Sequence, residues 1–235
     1  MTDAVLGLVT TRLPPGPVAG IFFYNAGAVG AVSNINSIVD GSTTILSLQY
    51  GNTNNFHTTL IKPGVTLTVS NSAAGNLVFV GTGTSVSAAQ TVNATVTGPG
   101  GSLVVTNPNT ASVMLVQQGA ANAGAHTAIL DLSGLDTFNL TAGRLLLAAA
   151  SGSGASNLPT ATLTLARTNL IRLNGTTAPV LNIADAAGGA GSANTSFLQL
   201  GQTNALFANT LTIGRGKALG ALRFNPNAFK LNWLG

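Results

Sequence analysis

Three stretches of the chain repeat one another: AILDLSGLDTFNL from Ala128, TLTLARTNLIRL from Thr162 and FLQLGQTNALFA from Phe197. Superposed without gaps, they align Leu130 with Leu163 and Leu198, and Leu132 with Leu165 and Leu200. Asp136 then meets Asn169 and Asn204, and Phe138 meets Ile171 and Leu206. Offsets of about 33 and 35 residues fall where self-similarity marks stacked structural units. Each unit holds three strand-like pieces. The first is the L-x-L element and the second ends at Phe138, Ile171 or Leu206; the third is LLLA from Leu145, VLNI from Val180 or TLTI from Thr210. Three strands and three turns per coil predict an all-β chain wound as a parallel β-helix, or β-solenoid. Leu132, Leu165 and Leu200 are expected to form an interior ladder. Asp136, Asn169 and Asn204 are expected to form a turn ladder, because Asn and Asp tolerate left-handed turn geometry and bond along a stack.

The rest of the chain obeys the same grammar. TTILSLQY from Thr43, VTLTVS from Val65, NLVFVG from Asn76, TVNATVTG from Thr91, SLVVTN from Ser102 and SVMLVQQ from Ser112 are strand-length runs divided by Gly, Pro and Asn. Val65, Leu67 and Val69 alternate with Thr66, Thr68 and Ser70, the period of a strand with one wet side. No segment carries a capped helical period, and RLLLAAASGSGAS from Arg144 reads as a strand followed by a loop. Coils longer than the tightest solenoids need room for loops, for which NGTTAP after Leu173 and GGAGSAN after Ala187 are candidates. A solenoid buries each rung only against its neighbours. Residues 1–235 are therefore expected to be one β-solenoid domain, with 1–40 as an N-terminal cap or assembly segment and 215–235 as a basic C-terminal end.

Composition supports a folded chain with few helices. Hydrophobic residues make up 45% and charged residues 6%, the opposite of a disordered composition. Glutamate is absent, so the Glu–Lys pairs that lace helical surfaces are missing too. The absence of cysteine removes disulfides and thiolate metal sites from consideration.

The net charge of +4 is concentrated at one end. Through Gly214 five basic residues match five aspartates, and the excess lies on Arg215, Lys217, Arg223 and Lys230. These four are candidates for contact with a polyanion, an anionic glycan or an envelope polymer. They lack the dense stripe with stacking aromatics that specific nucleic-acid binding requires. The uncharged stretch from Leu13 to Val39 is broken by prolines, glycines and Asn25, Asn34 and Asn36 into strand-length pieces, so no transmembrane segment is expected. Met1 to Val9 has no basic n-region and does not read as a signal peptide. That leaves a processed chain, a fragment or a cytoplasmic protein open.

The search for chemistry returns little. His57 and His126 are far apart, neither has a second histidine at ligand spacing, and both read as turn or surface residues rather than metal ligands. Asp131 is out of phase with Leu130 and Leu132 and should point outward. The five carboxylates, Asp3, Asp40, Asp131, Asp136 and Asp185, are too scattered to pair easily as a glycosidase requires. G-R-G-K-A-L-G from Gly214 misses dinucleotide spacing by one residue and reads as a turn before a strand. Catalytic residues, cofactors and metals are not expected.

LDLSGLDTFNL, LQLGQTNALFANTLTIGRGKALGALRFNP and YGNTNNFHTTLIKPGVTLTV resemble the repeats of bacterial autotransporter-associated β-strand-repeat proteins, from about Thr43 to the C terminus. The resemblance implies export, a right-handed β-helix, and a structural or adhesive role at the cell surface or outside it. The favoured expectation is a non-enzymatic structural protein that self-associates into fibres or a surface layer. From Lys62 to Asp131 no lysine, arginine or carboxylate intervenes to guard the strand edges. A module binding a glycan or host surface through Thr, Asn and Gln columns is the alternative, and a polysaccharide-active enzyme ranks below both.

Overall fold

A computed structural model of the protein describes residues 15–25, 29–53, 55–83, 88–119, 125–149, 158–185 and 194–226. The chain winds three strands at a time. The first two coils are β1 (Gly20–Phe23), β2 (Ser37–Val39) and β3 (Thr43–Ile45), then β4 (Ser47–Tyr50), β5 (Phe56–Ile61) and β6 (Thr66–Ser70). Next come β7 (Gly75–Val80) with the bent β8 (Thr91–Thr106), and then β9 (Ser112–Val116), β10 (Thr127–Asp131) and β11 (Leu135–Ala142). They are followed by β12 (Arg144–Leu147), β13 (Thr160–Thr164) and β14 (Thr168–Leu173). The last described are β15 (Leu181–Asp185), β16 (Thr195–Leu200) and β17 (Thr203–Phe207), followed by β18 (Leu211–Arg215) and β19 (Leu219–Phe224).

Every pairing between these strands is parallel, and each joins a strand to its counterpart one coil away. The first face is a sheet of seven strands in the order β1-β4-β7-β9-β12-β15-β18. The second and third faces are joined because β8 turns the corner between them, giving one sheet of twelve strands. This is a parallel β-solenoid with three strands per coil. No helix occurs among the described residues.

Burial follows the two-residue period. In β6, Leu67 and Val69 are buried while Thr66, Thr68 and Ser70 are half-exposed. The inward residues stack in columns because parallel strands one coil apart lie only about 4.8 Å from each other. On the first face Leu48, Val78, Met114, Leu145, Leu181 and Leu211 lie one above another. On the second the column is His57, Ala94, Leu130, Leu163, Leu198 and Leu222. Each fully buried leucine contributes about 1.5–3 kcal/mol of transfer free energy, so the columns hold the stack together.

Glycine is required where one coil presses on another. At Gly98, φ is +142° and a methyl group would overlap the carbonyl oxygen of Ile61. This bare backbone lets β8 pass from the second face to the third without breaking.

Leu132 and Leu165 extend the second-face ladder one residue beyond the strands. The Leu132 N–H donates to Thr164 O (2.8 Å) and the Leu165 N–H to Gln199 O (2.9 Å). The ungapped alignment fails at the next corner. Thr137 pairs with Thr168 and Phe138 with Asn169, so Asp136 is not in the column of Asn169 and Asn204. Between Leu132 and Thr137 the chain runs Ser133 to Asp136, whereas only Ala166 and Arg167 separate Leu165 from Thr168. Leu135 causes the difference: it turns inward, is fully buried, and its carbonyl accepts the Arg167 N–H (3.0 Å). The inward place taken by Leu135 delays the third-face strand by two residues. NGTTAP forms the irregular link from β14 to β15. Most of GGAGSAN, and the end of the Arg144 stretch, lie outside the described residues.

Candidate functional site

The asparagine column at the second corner is a bonded ladder. Asn169 Nδ2 donates to Ala166 O (2.7 Å) and to Asn204 Oδ1 (2.9 Å), while Asn204 Nδ2 donates to Gly201 O (2.8 Å). Gly201 lies so close to the Ala166 carbonyl that a side chain there would overlap it. Each rung ties its own turn and the turn of the neighbouring coil.

The basic residues are not gathered in one patch. Arg215 ends β18 on the first face, Arg223 lies near the end of β19 on the second, and Lys217 sits exposed in the turn between them. Lys230 lies outside the described residues. Arg215 Nε bonds Asp185 Oδ1 at 2.7 Å, one coil below, and Asp185 also accepts from Asn182 Nδ2 (3.0 Å). The Arg223 guanidinium stands 3.8 Å from the centre of the Phe197 ring, Arg172 stacks on Phe207, and Arg167 bonds Gln202. These arginines staple consecutive coils along the outer surface, a role that sequence position alone did not suggest.

Asp131 points outward as its phase predicts, and its Oδ1 accepts the Ser133 N–H at 2.8 Å. The histidines, by contrast, are not surface residues, and His57 lies within a strand rather than a turn. His57 and His126 are both buried. The FHTTLI strand presents Phe56 and Leu60 on its half-exposed face and His57, Thr59 and Ile61 inward, the reverse of the phase that Phe56 and Leu60 suggest. His57 stacks on Phe23, with ring centres 3.9 Å apart, and lies beside Tyr50, whose hydroxyl is 2.9 Å from Thr59 Oγ1. Burial pushes the His57 pKa down to about 4 and raises that of Tyr50. His126 Nδ1 accepts the Gln90 N–H (3.2 Å) at the corner where Gln118 also bonds Gln90 and Thr82. Among the described residues no group of three or more His, Cys, Asp or Glu could hold a metal ion. Nor is any helix there long and apolar enough to cross a membrane.

Two surfaces remain as candidates for recognition. The first is the C-terminal end. Leu211 and Ile213 top interior columns and are 50% and 41% exposed, while Leu181 and Ile183 beneath them are 2% and 0% exposed. Phe224, which tops the column of Leu200, is 56% exposed. The second is the outer side of the third face, where Thr66, Ser102, Thr137, Thr168 and Thr203 form one column and Ser70, Thr106 and Thr141 another. None of these side-chain hydroxyls has a hydrogen-bond partner among the described residues. On the second face, Thr127 bonds Thr160 (3.1 Å) and Thr164 reaches Gln199 (3.4 Å).

Set against known protein families, curated proteins and solved structures, the chain matches none of them.

Proposed function

We propose that the protein is a non-enzymatic structural component of a bacterial surface or extracellular layer, and that it self-associates through the open C-terminal end of its solenoid. One observation carries this reading: among the described residues the interior columns continue to Leu211 and Ile213 and are half-exposed there, beside the strand edges of β17, β18 and β19. Among the described residues no further strand pairs with this edge, and a parallel edge next to exposed apolar columns is a template for another strand layer. Arg215 and Arg223 bind within their own stack, so the end presents few free charges to oppose docking. Of the described carboxylates, Asp40 lies at a corner of the first coil, Asp131 and Asp136 flank a corner three coils on with Asp131 engaged by the Ser133 N–H, and Asp185 is paired with Arg215, which favours a structural role over glycoside hydrolysis. The surface location rests on the repeat resemblance. Negative-stain microscopy with sedimentation, from about pH 4.5 to pH 7.5, tests the proposal. Concentration-dependent rods longer than one chain are expected; a strictly monomeric particle at high concentration across that range would overturn it.

The hydroxyl columns of the third face favour a second reading, a module for a neutral glycan. Their unbonded hydroxyls, repeating at each coil, suit a polyhydroxylated chain. A glycan array blank at high protein concentration would remove this reading.

A further inference from the structure

The first coil, β1 to β3, covers the strand edges of β4, β5 and β6, which are the N-terminal counterpart of the open C-terminal end. It is weakly held. From Pro15 to Leu46 only Asn36 and Ile45 are buried among the described residues, while Val18, Tyr24, Val32, Ile35 and Ile38 are exposed. A segment with so few buried contacts belongs to the low-stability end of a structure. Two of its side chains meet at His57. Phe23 of β1 lies flat on the imidazole, and Ser37 Oγ of β2 is 3.4 Å from Nε2. On either side of the ring, Val29 and Phe56 exchange two backbone hydrogen bonds and Thr58 Oγ1 donates to Val32 O (2.7 Å).

Among the described residues, the histidine's surroundings have no charge to offer an imidazolium. Phe23, Ser37, Tyr50 of β4, Thr59 of its own strand and Ala94 of β8 face it. Tyr50 is the one titratable group among them, and burial keeps its phenol neutral. Asp40, exposed after β2, forms no ion pair with the ring among the described residues. Nδ1 has no hydrogen-bond partner. A proton on this ring would be a buried, unpaired charge.

We propose that His57 makes the first coil an acid-releasable cap: protonation of the imidazole frees β1 to β3 and uncovers the parallel edge of β4, β5 and β6. The use of that edge, as the surface that receives the C-terminal end of another copy, rests on the self-association reading; the release itself does not. The sign follows from linkage. The folded pKa of about 4 lies below the ordinary value of 6.5, so the capped state binds fewer protons than the open one. Above the ordinary value neither state is charged and the cap is at full strength. Each pH unit below it multiplies opening by up to about tenfold, until the folded pKa is reached.

The test is hydrogen exchange of the full chain at about pH 7 and pH 4.5, corrected for intrinsic rates, with the two histidines followed by NMR. Amides of Gly20–Phe23, Ser37–Val39 and Thr43–Ile45 should lose protection on the order of 50- to 100-fold, while those of β9 to β17 keep theirs. His57→Leu, which suits a column continuing as Ala94 and Leu130, and His57→Gln should both flatten the response. Full protection at the lower pH, loss while His57 is still neutral, simultaneous loss in all coils, or an unchanged response in both variants would each overturn the cap. Sedimentation of the same samples separates the two ideas: opening without association at either pH overturns self-association and leaves the cap standing.

Discussion

Asn169 donates from its side-chain amide to the Oδ1 of Asn204, 2.9 Å away on the next coil. The same amide reaches the Ala166 carbonyl within its own turn. Asn169→Ala should therefore cost about 1–3 kcal/mol, since it leaves the buried turn carbonyl without its donor. Asp136→Ala should stay within about 0.5 kcal/mol, because the half-exposed Asp136 is not part of the ladder. Urea denaturation of the two variants checks the difference; equal losses would place Asp136 back in the column.

Leu163 sits midway along the second-face column between Leu130 and Leu198. Leu163→Ala should cost about 2–5 kcal/mol. Its outward neighbour Thr162, half-exposed and paired with Phe197, should tolerate alanine to within about 0.5 kcal/mol. Thermal unfolding of the pair measures the contrast.

The Arg215–Asp185 pair spans two coils at 2.7 Å, but its arginine side chain is about half exposed. Arg215→Ala should lower stability by no more than about 1 kcal/mol, and the deficit should shrink in high salt. Denaturation in low and high salt reads both effects, and an undiminished deficit in salt would show that the guanidinium acts by packing instead.

Gly98 has no room for a side chain, and its φ is one that other residues rarely adopt. Gly98→Ala should cost several kcal/mol, more than any surface substitution. Circular dichroism and urea denaturation should show a marked fall in stability; a wild-type midpoint would mean that the corner of β8 has room for a side chain.

Most of the architecture was legible in the sequence because a solenoid repeats its instructions. The L-x-L elements at Leu130, Leu163 and Leu198 do fall opposite one another, and Leu67 and Val69 face inward as their period requires. The corner after Leu132 was not legible. An ungapped alignment has no way to represent the extra inward Leu135, which shifts Phe138 onto Asn169. His57 escaped for another reason: Phe56 and Leu60 are larger and more apolar than Thr59, so the phase of β5 reads backwards until its register with Ala94 and Val96 is seen. The coil-to-coil arginine contacts were also hidden, because their partners lie about one repeat away in sequence. The open end was visible only as a cluster of basic residues, not as half-exposed apolar columns at Leu211 and Ile213.

The in-register stack is tested most directly by disulfide trapping, since the chain has no native cysteine. Thr137 and Thr168 pair on adjacent strands and both side chains face outward, at a spacing of about 4.8 Å that a disulfide can bridge. The double variant T137C/T168C should oxidise readily to an intramolecular disulfide, whereas N139C/T168C, displaced by two residues, should not. A disulfide that forms instead between L135C and T168C, the pair that ungapped repeats would align, or no disulfide at either position, would contradict the stacking described here.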